Sequence, residues 1–415
     1  MTLAVHNAAT VIPVAGEGPV RGSALAEQPI LETSGVGCEG DRISSVGDPV
    51  EADVVIDALG CTVIPGFVDP HTHLPFYGWR ADEDGARLSG VRYETIHTEE
   101  GGIFRSRRLL SEASDDDVLA FSTTLAREML HRGTTTFETK SGYGLSIDAE
   151  LRQMRLARAL DEIVPQRVVS TCLAAHAVPR GRSEGEWIGI VSDELLPKAA
   201  ADGLVTACDI YVESIAFALE HAARLATACE SLGLHMRVHA DQLADNQTAS
   251  FAARWGFRSA DHLNHTSLDG VGDLGGSDTA AVLLPGATFT LRQAKKPPAR
   301  DLIQGGAIVA LGTDLNPGTS PIFSMPFVIA LACRIYGLRP MEALVAATAN
   351  AAYVLGLSHE VGRLASGYRA DLVILDCPSF DHVAYRPDHD FVLAVVCGGK
   401  IAYLAPGADE RVTGL

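Results

Sequence analysis

Histidine occurs twice in His71-Thr72-His73, directly behind the apolar run Val63-Ile64-Pro65-Gly66-Phe67-Val68-Asp69-Pro70. Side chains at i and i+2 of an extended segment lie on one face. Two neutral imidazoles so placed can chelate a single divalent ion. The pair alone is also compatible with two surface histidines beside a turn, so the rest of the chain must decide.

Further along, ionisable residues recur where apolar, strand-like segments end: His176, Glu213, His239, His262 and Asp314. Zinc and ferrous iron favour imidazole nitrogen and carboxylate oxygen, with one position left for water. His71, His73, His239 and Asp314 meet that requirement. A metal-bound water has its pKa lowered toward neutrality, which makes a nucleophile at pH 7. Asp314 can also accept the water's proton, and His262 is placed to polarise the attacked carbonyl and help move that proton. The expected chemistry is hydrolytic attack at a C–N or C–O centre.

The elements that must position these groups are legible. Residues 62–360 alternate apolar strands with helices, the pattern of parallel βα units. Eight strand ends fall near His73, Thr139, His176, Glu213, Asp241, Leu263, Pro285 and Asp314. Eight such units predict an α/β fold, a (β/α)₈ TIM-like barrel, with its chemistry at the C-terminal strand ends. Ser114 before three aspartates predicts a helix start, with Val118, Phe121, Leu125 and Met129 on one face and Gly133 beyond the end. A second helix is expected from about Ala218 to Leu232, stopped by Gly233. Residues 1–61 and 361–415 instead carry short strand-like runs, among them Ala9–Val14, Arg42–Val46, Ala52–Ile56, Ala370–Leu375 and Phe391–Val396. The two ends are expected to pair into one small β-sandwich domain around the barrel, which spans 62–360.

Composition narrows the partners. With 415 residues, 47% of them hydrophobic, the chain can bury a large core. A net charge of −19 argues against nucleic acid and anionic membrane surfaces. No run of about 18 apolar residues suggests a membrane span, and the first residues lack a signal-peptide pattern. The eight scattered cysteines form no CxxC and read as small buried hydrophobes of a reducing, cytoplasmic protein.

The phrase Pro65-Gly66-Phe67-Val68-Asp69-Pro70-His71-Thr72-His73 resembles the amidohydrolase superfamily, as does Gly367-Tyr368-Arg369-Ala370-Asp371-Leu372-Val373. Finer motifs are similar to its imidazolonepropionase family. They are Lys140-Ser141-Gly142-Tyr143-Gly144-Leu145, Ala175-His176-Ala177-Val178-Pro179, His239-Ala240-Asp241-Gln242-Leu243, Ser259-Ala260-Asp261-His262-Leu263 and Thr313-Asp314-Leu315-Asn316-Pro317-Gly318-Thr319-Ser320-Pro321. They follow the family's order along nearly the whole chain. The resemblance implies hydrolytic opening of 4-imidazolone-5-propanoate to N-formimidoyl-L-glutamate in histidine degradation, one zinc or iron ion, and a homodimer. It implies that Arg80 meets the substrate's carboxylate tail. Tyr143 and His176 would hydrogen-bond ring or tail, and Asn316, Gly318 and Thr319 would grip substrate and product.

Strand 4 ends in Tyr211-Val212-Glu213-Ser214, with no lysine of the kind that binuclear relatives carboxylate, so one metal is expected rather than two. Position 242 is Gln where some relatives have Glu. An amide cannot act as a base, so Gln242 is expected to orient substrate by hydrogen bonds while Asp314 and His262 carry protons. The loop Phe76-Tyr77-Gly78-Trp79-Arg80 is bulkier than the family's usual one, and Glu100 replaces a small residue. These departures leave open a related ring, a modified imidazolone- or hydantoin-like propanoate. A non-catalytic scaffold would typically have lost metal ligands, and here all are present.

Overall fold

The computed structural model describes residues 2–48, 50–90 and 101–414. Eight parallel strands form the central sheet: β1 (Phe67–Asp69), β2 (Thr134–Lys140), β3 (Arg167–Ala175), β4 (Ala207–Ile210), β5 (His235–Ala240), β6 (Ser259–His262), β7 (Ala280–Leu283) and β8 (Ile308–Leu311), adjacent in that order. The ladder runs unbroken from β1 to β8, and the ring closes beyond their ends. Thr72 bridges Leu315, Asp314 N–H donates to His71 O at 2.9 Å, and His73 N–H donates to Leu315 O at 2.9 Å. Below this clasp the buried Asp69 carboxylate accepts from Thr313 N at 3.0 Å and Thr313 Oγ1 at 2.5 Å.

Alternation along the strands separates two environments. In β5, Met236, Val238 and Ala240 join the main apolar core with the surrounding helices, while Arg237 and His239 take the other face. In β6 the inward partners in register are Ser259 opposite Arg237 and Asp261 opposite His239. The barrel interior is therefore charged where the outer face is apolar, the period-two signature of a strand with two buried faces.

The expected helix starts behave as read. Ser114 Oγ accepts from Asp117 N at 3.1 Å and opens the helix Asp115–His131, whose Val118, Leu125 and Met129 are buried. The helix Leu219–Leu232 ends at Gly233, which takes the left-handed φ of 68°.

Both chain ends build a separate nine-stranded sheet. Thr2–Val11 is its branch point, pairing in parallel with Val54–Asp57 through residues 3–6 and with Thr62–Pro65 through residues 10–11. The sheet encloses its own core of Leu3, Val5, Val36, Ile56, Leu372 and Val396. Thr62–Pro65, expected in the barrel, belongs here and pairs with Leu372–Leu375. A strand not expected from the sequence, Leu31–Glu39, pairs with Thr2–Val11.

Candidate active site

The C-terminal strand ends converge on one pocket lined by His73, Arg80, Ile103, Tyr143, His176, Tyr211, His239, Gln242, His262, Asp314, Asn316 and Thr319. Two sets of donor atoms lie within 4.8 Å of one another, His71 with His73 and Asp314, and His71 with His239 and His262. They share His71, so all five side chains surround one hollow.

His71 and His239 are oriented from below. His71 Nδ1 lies 2.5 Å from Asp261 Oδ2 and His239 Nδ1 lies 3.1 Å from Asp209 Oδ1. A carboxylate on Nδ1 fixes the proton there and leaves the Nε2 lone pair free. Both Nε2 atoms are buried and have no hydrogen-bond partner among the described residues. Burial holds the His71 and His73 imidazoles below their ordinary pKa, hence neutral. Burial works against ionisation of Asp314, but its hydrogen bond with His73 Nε2 at 3.2 Å helps hold its pKa low. Neutral nitrogens and one carboxylate aimed at a single hollow are a donor set that fits zinc or iron.

His262 reaches this hollow by a distortion. The alternation that turns Ser259 and Asp261 inward would face His262 outward with Ala260. Left-handed backbone at His262 (φ 78°) and Leu263 (φ 64°) redirects the ring into the pocket. Each such residue costs about 1–3 kcal/mol, a strain that clusters at functional sites. Burial pushes the imidazole down to about 3. Unlike His71 and His239, it has no carboxylate on Nδ1.

Arg80 is 4% exposed, and its Nε and Nη1 lack hydrogen-bond partners among the described residues, with Glu83 Oε2 at 3.6 Å. Tyr143 sits on a turn clamped by the helix Ile147–Ile163. Glu150 accepts from Gly142 N at 2.9 Å, Gly144 N at 2.8 Å and Leu145 N at 2.8 Å, and Gln153 accepts from Tyr143 N at 3.1 Å. Gly142 has φ 112°, and a Cβ there would stand 2.7 Å from Leu173 O, so the turn requires glycine.

The last loop is organised by Asn316. Its Oδ1 accepts from Gly318 N at 2.9 Å, Thr319 N at 2.7 Å and Thr319 Oγ1 at 3.1 Å, and its Nδ2 donates to Asp314 O at 2.7 Å. Gly318 does not line the pocket. Its carbonyl accepts from Arg87 at 2.7 Å and its Cα faces lie against Arg80. Glu213 also turns away, accepting from Leu243 N at 2.7 Å and Asn246 Nδ2 at 2.9 Å. Gln242 lines the pocket, its backbone carbonyl accepting from Gln293 Nε2 at 3.2 Å.

The bulky loop residues serve packing. Phe76 is fully buried and meets Trp79 and Phe121 with ring centres 5.2 Å and 5.6 Å away, outside the pocket lining. Glu100 lies outside the described residues. The sequence reading missed Ile103, Tyr211 and the charged interior below the histidines: Glu138, Lys140, Asp209, Arg237 and Asp261. Their signal was charge at alternate positions within strands otherwise buried on both faces.

Comparison with known proteins agrees with this architecture. The amidohydrolase family model matches residues 62–402. An imidazolonepropionase of Rubrobacter xylanophilus is 44% identical over 98% of this chain and 99% of its own length. Another, of Symbiobacterium thermophilum, is 40% identical over 96% of each chain. Among solved structures, an adenosine deaminase from Xanthomonas campestris with bound zinc superimposes with a TM-score of 0.73 at 18% identity, covering 99% of this chain and 97% of its own. A triazine hydrolase variant gives 0.75 at 16% identity, covering 96% and 94%. The chain belongs to the amidohydrolase family and, within it, to the imidazolonepropionases.

Proposed function

We propose that this protein opens the ring of 4-imidazolone-5-propanoate with water to give N-formimidoyl-L-glutamate, using one zinc or iron ion held by His71, His73, His239 and Asp314. The observation that carries the reading is the meeting, at the strand ends around one pocket, of two kinds of buried nitrogen that lack hydrogen-bond partners among the described residues. The Nε2 atoms of His71 and His239 suit a metal, and the Arg80 guanidinium suits a carboxylate tail. Relatives at 44% and 40% identity that bear the imidazolonepropionase name support it.

The ion supplies Lewis acidity that makes water nucleophilic near neutral pH. Asp314 takes the proton as water adds to the ring carbonyl carbon, and returns it to the ring nitrogen as the C–N bond breaks. The carbonyl carbon becomes the new carboxylate and the departing nitrogen stays in the formimidoyl group, so one water is consumed. His262 donates a hydrogen bond to the carbonyl oxygen as charge develops there. Its low pKa keeps it a neutral donor rather than a competing cation. Arg80 pairs with the propanoate tail, while Gln242, Tyr143 and His176 orient the ring. Asn316 shapes the last loop so that Thr319 reaches the pocket.

Eight free thiols, seven of them buried, support a reducing cytoplasm as the setting. Among the described residues no helix is long and apolar enough to cross a membrane. The test is ultraviolet-monitored loss of 4-imidazolone-5-propanoate generated in situ from urocanate by urocanase. Metal-dependent loss above the spontaneous rate, with formimidoylglutamate as product, is expected. Turnover of a hydantoin-like propanoate in its place would transfer the assignment to the related ring.

A further inference from the structure

Beneath the histidines lies a charged network sealed inside the barrel. Glu138 Oε1 accepts from Thr171 Oγ1 at 2.5 Å and pairs with Arg237 Nη1, and its Oε2 lies 2.9 Å from Lys140 Nζ. Arg237 continues to Asp261 Oδ2 at 2.8 Å, the oxygen that meets His71. Lys140 continues to Asp209 Oδ2 at 2.7 Å, and Asp209 meets His239. Every one of these carboxylates and cations is buried to within 1% of full burial.

We propose that Glu138 is a positioning residue that couples Asp209 and Asp261 into one network, so that metal affinity depends on a side chain that touches neither metal nor substrate. The proposal rests on the ligand assignment above. Each cation is shared between Glu138 and one aspartate. Arg237 spans Glu138 and Asp261, with its Nε on Ser259 Oγ at 2.9 Å, and Lys140 spans Glu138 and Asp209. Neutralising Glu138 leaves each cation to one aspartate alone, drawing both carboxylates off the imidazole Nδ1–H groups in a medium that screens poorly. Two metal ligands then lose orientation together. Loss of such outer partners typically costs 10–100-fold in metal affinity.

Independent carboxylate–histidine pairs would behave differently. In that case Asp209→Asn and Asp261→Asn would multiply their penalties. In one coupled network the second substitution acts on an array already relaxed, so the double variant loses less than the product.

The experiment follows zinc transfer from the purified full-length protein to a chromophoric chelator, with the visible band of the cobalt-substituted protein as a second readout. Glu138→Gln is expected to weaken zinc binding about 10–100-fold and shift the cobalt band, with the metal-free protein still unfolding cooperatively but at a lower temperature than the wild type. Ser259→Ala removes the 2.6 Å bond to Asp261 and the 2.9 Å bond from Arg237 Nε but leaves every buried charge with an ionic partner, so it serves as the second variant should Glu138→Gln fail to fold. It is expected to weaken zinc binding several-fold. Wild-type zinc affinity and cobalt band in Glu138→Gln, or in Ser259→Ala if that variant alone folds, would overturn the proposal. Strictly multiplicative penalties in the double variant would overturn it as well. A wild-type protein that binds no metal would sink the ligand assignment too, whereas a metal-binding wild type with an indifferent Glu138→Gln removes only the coupling.

Discussion

The guanidinium of Arg80 lies against Gly318 so closely that a Cβ there would stand 1.5 Å from Nη2 and 2.3 Å from Cζ. Arg80 is held from the same loop by its N–H donating to Pro317 O at 3.0 Å. Under the proposed role of Arg80, Gly318 serves the substrate by leaving room for the guanidinium. Gly318→Ala must push the guanidinium aside and weaken its grip on the tail. A charge-assisted hydrogen bond is worth about 1.5–3 kcal/mol, so KM is expected to rise roughly ten- to hundredfold with kcat much less affected. Steady-state kinetics with the unchanged substrate check this, and an unaltered KM would remove Gly318 from the account.

Stripping the metal with a chelator is expected to abolish turnover, and stoichiometric zinc or ferrous iron to restore it. Binding to the folded state alone also stabilises by mass action, about 4 kcal/mol at a thousandfold excess over Kd. Wild-type protein should therefore melt several degrees higher with metal. Asp314→Asn should lose both the rescue and most of that thermal shift, as calorimetry with and without zinc would show.

Glu150 holds three backbone N–H groups of the turn that carries Tyr143. Glu150→Gln turns an N–H toward one of those donors, and an unsatisfied buried group costs about 1–3 kcal/mol. A lower melting temperature is expected, with kcat/KM down about tenfold. Combined with Tyr143→Phe, the loss should fall short of the product of the two, because both act through one phenol. Full multiplicativity would show that Glu150 matters only for the fold.

Burial disfavours a thiolate, so it raises a thiol's pKa and keeps the neutral form to higher pH. It pushes Cys38 and Cys377 up to about 12 and Cys61 and Cys333 up to about 11. At pH 8 a pKa of 11 leaves roughly one thiolate in a thousand. Native protein should react slowly with a disulfide reagent at pH 8, faster as pH rises toward 11, and at all eight cysteines once denatured. Rapid labelling at pH 8 in the native state would contradict the burial.

The residues proposed to hold the metal were legible because barrel chemistry concentrates at strand ends, where an ionisable residue after an apolar run is conspicuous. His71, His73, His239, His262 and Asp314 all reached one hollow. Glu138, Lys140, Arg237 and Asp261 were passed over because they stand inside strands, where charge reads as a break in the apolar run rather than as a second layer. Leu31–Glu39 escaped for a different reason. Its Gly35 and Gly37 and its polar ends lack β-propensity, and only the burial of Val36 and Cys38 makes it a strand. The boundary at Thr62 was misplaced because Thr62–Pro65 and Phe67–Asp69 form one continuous apolar stretch, and nothing local says which sheet each half will join. His262 lines the pocket although strand alternation alone would have turned it away.

The clasp between β1 and β8 gives the ring a direction in time. His71 and His73 follow the first strand of the barrel and Asp314 follows the last, so the proposed ligand set stays open until the eighth barrel strand seats against Thr72. An ion held there as proposed would act as a rivet between the earliest and latest parts of the barrel. On this assignment, catalysis would begin only when the circle shuts.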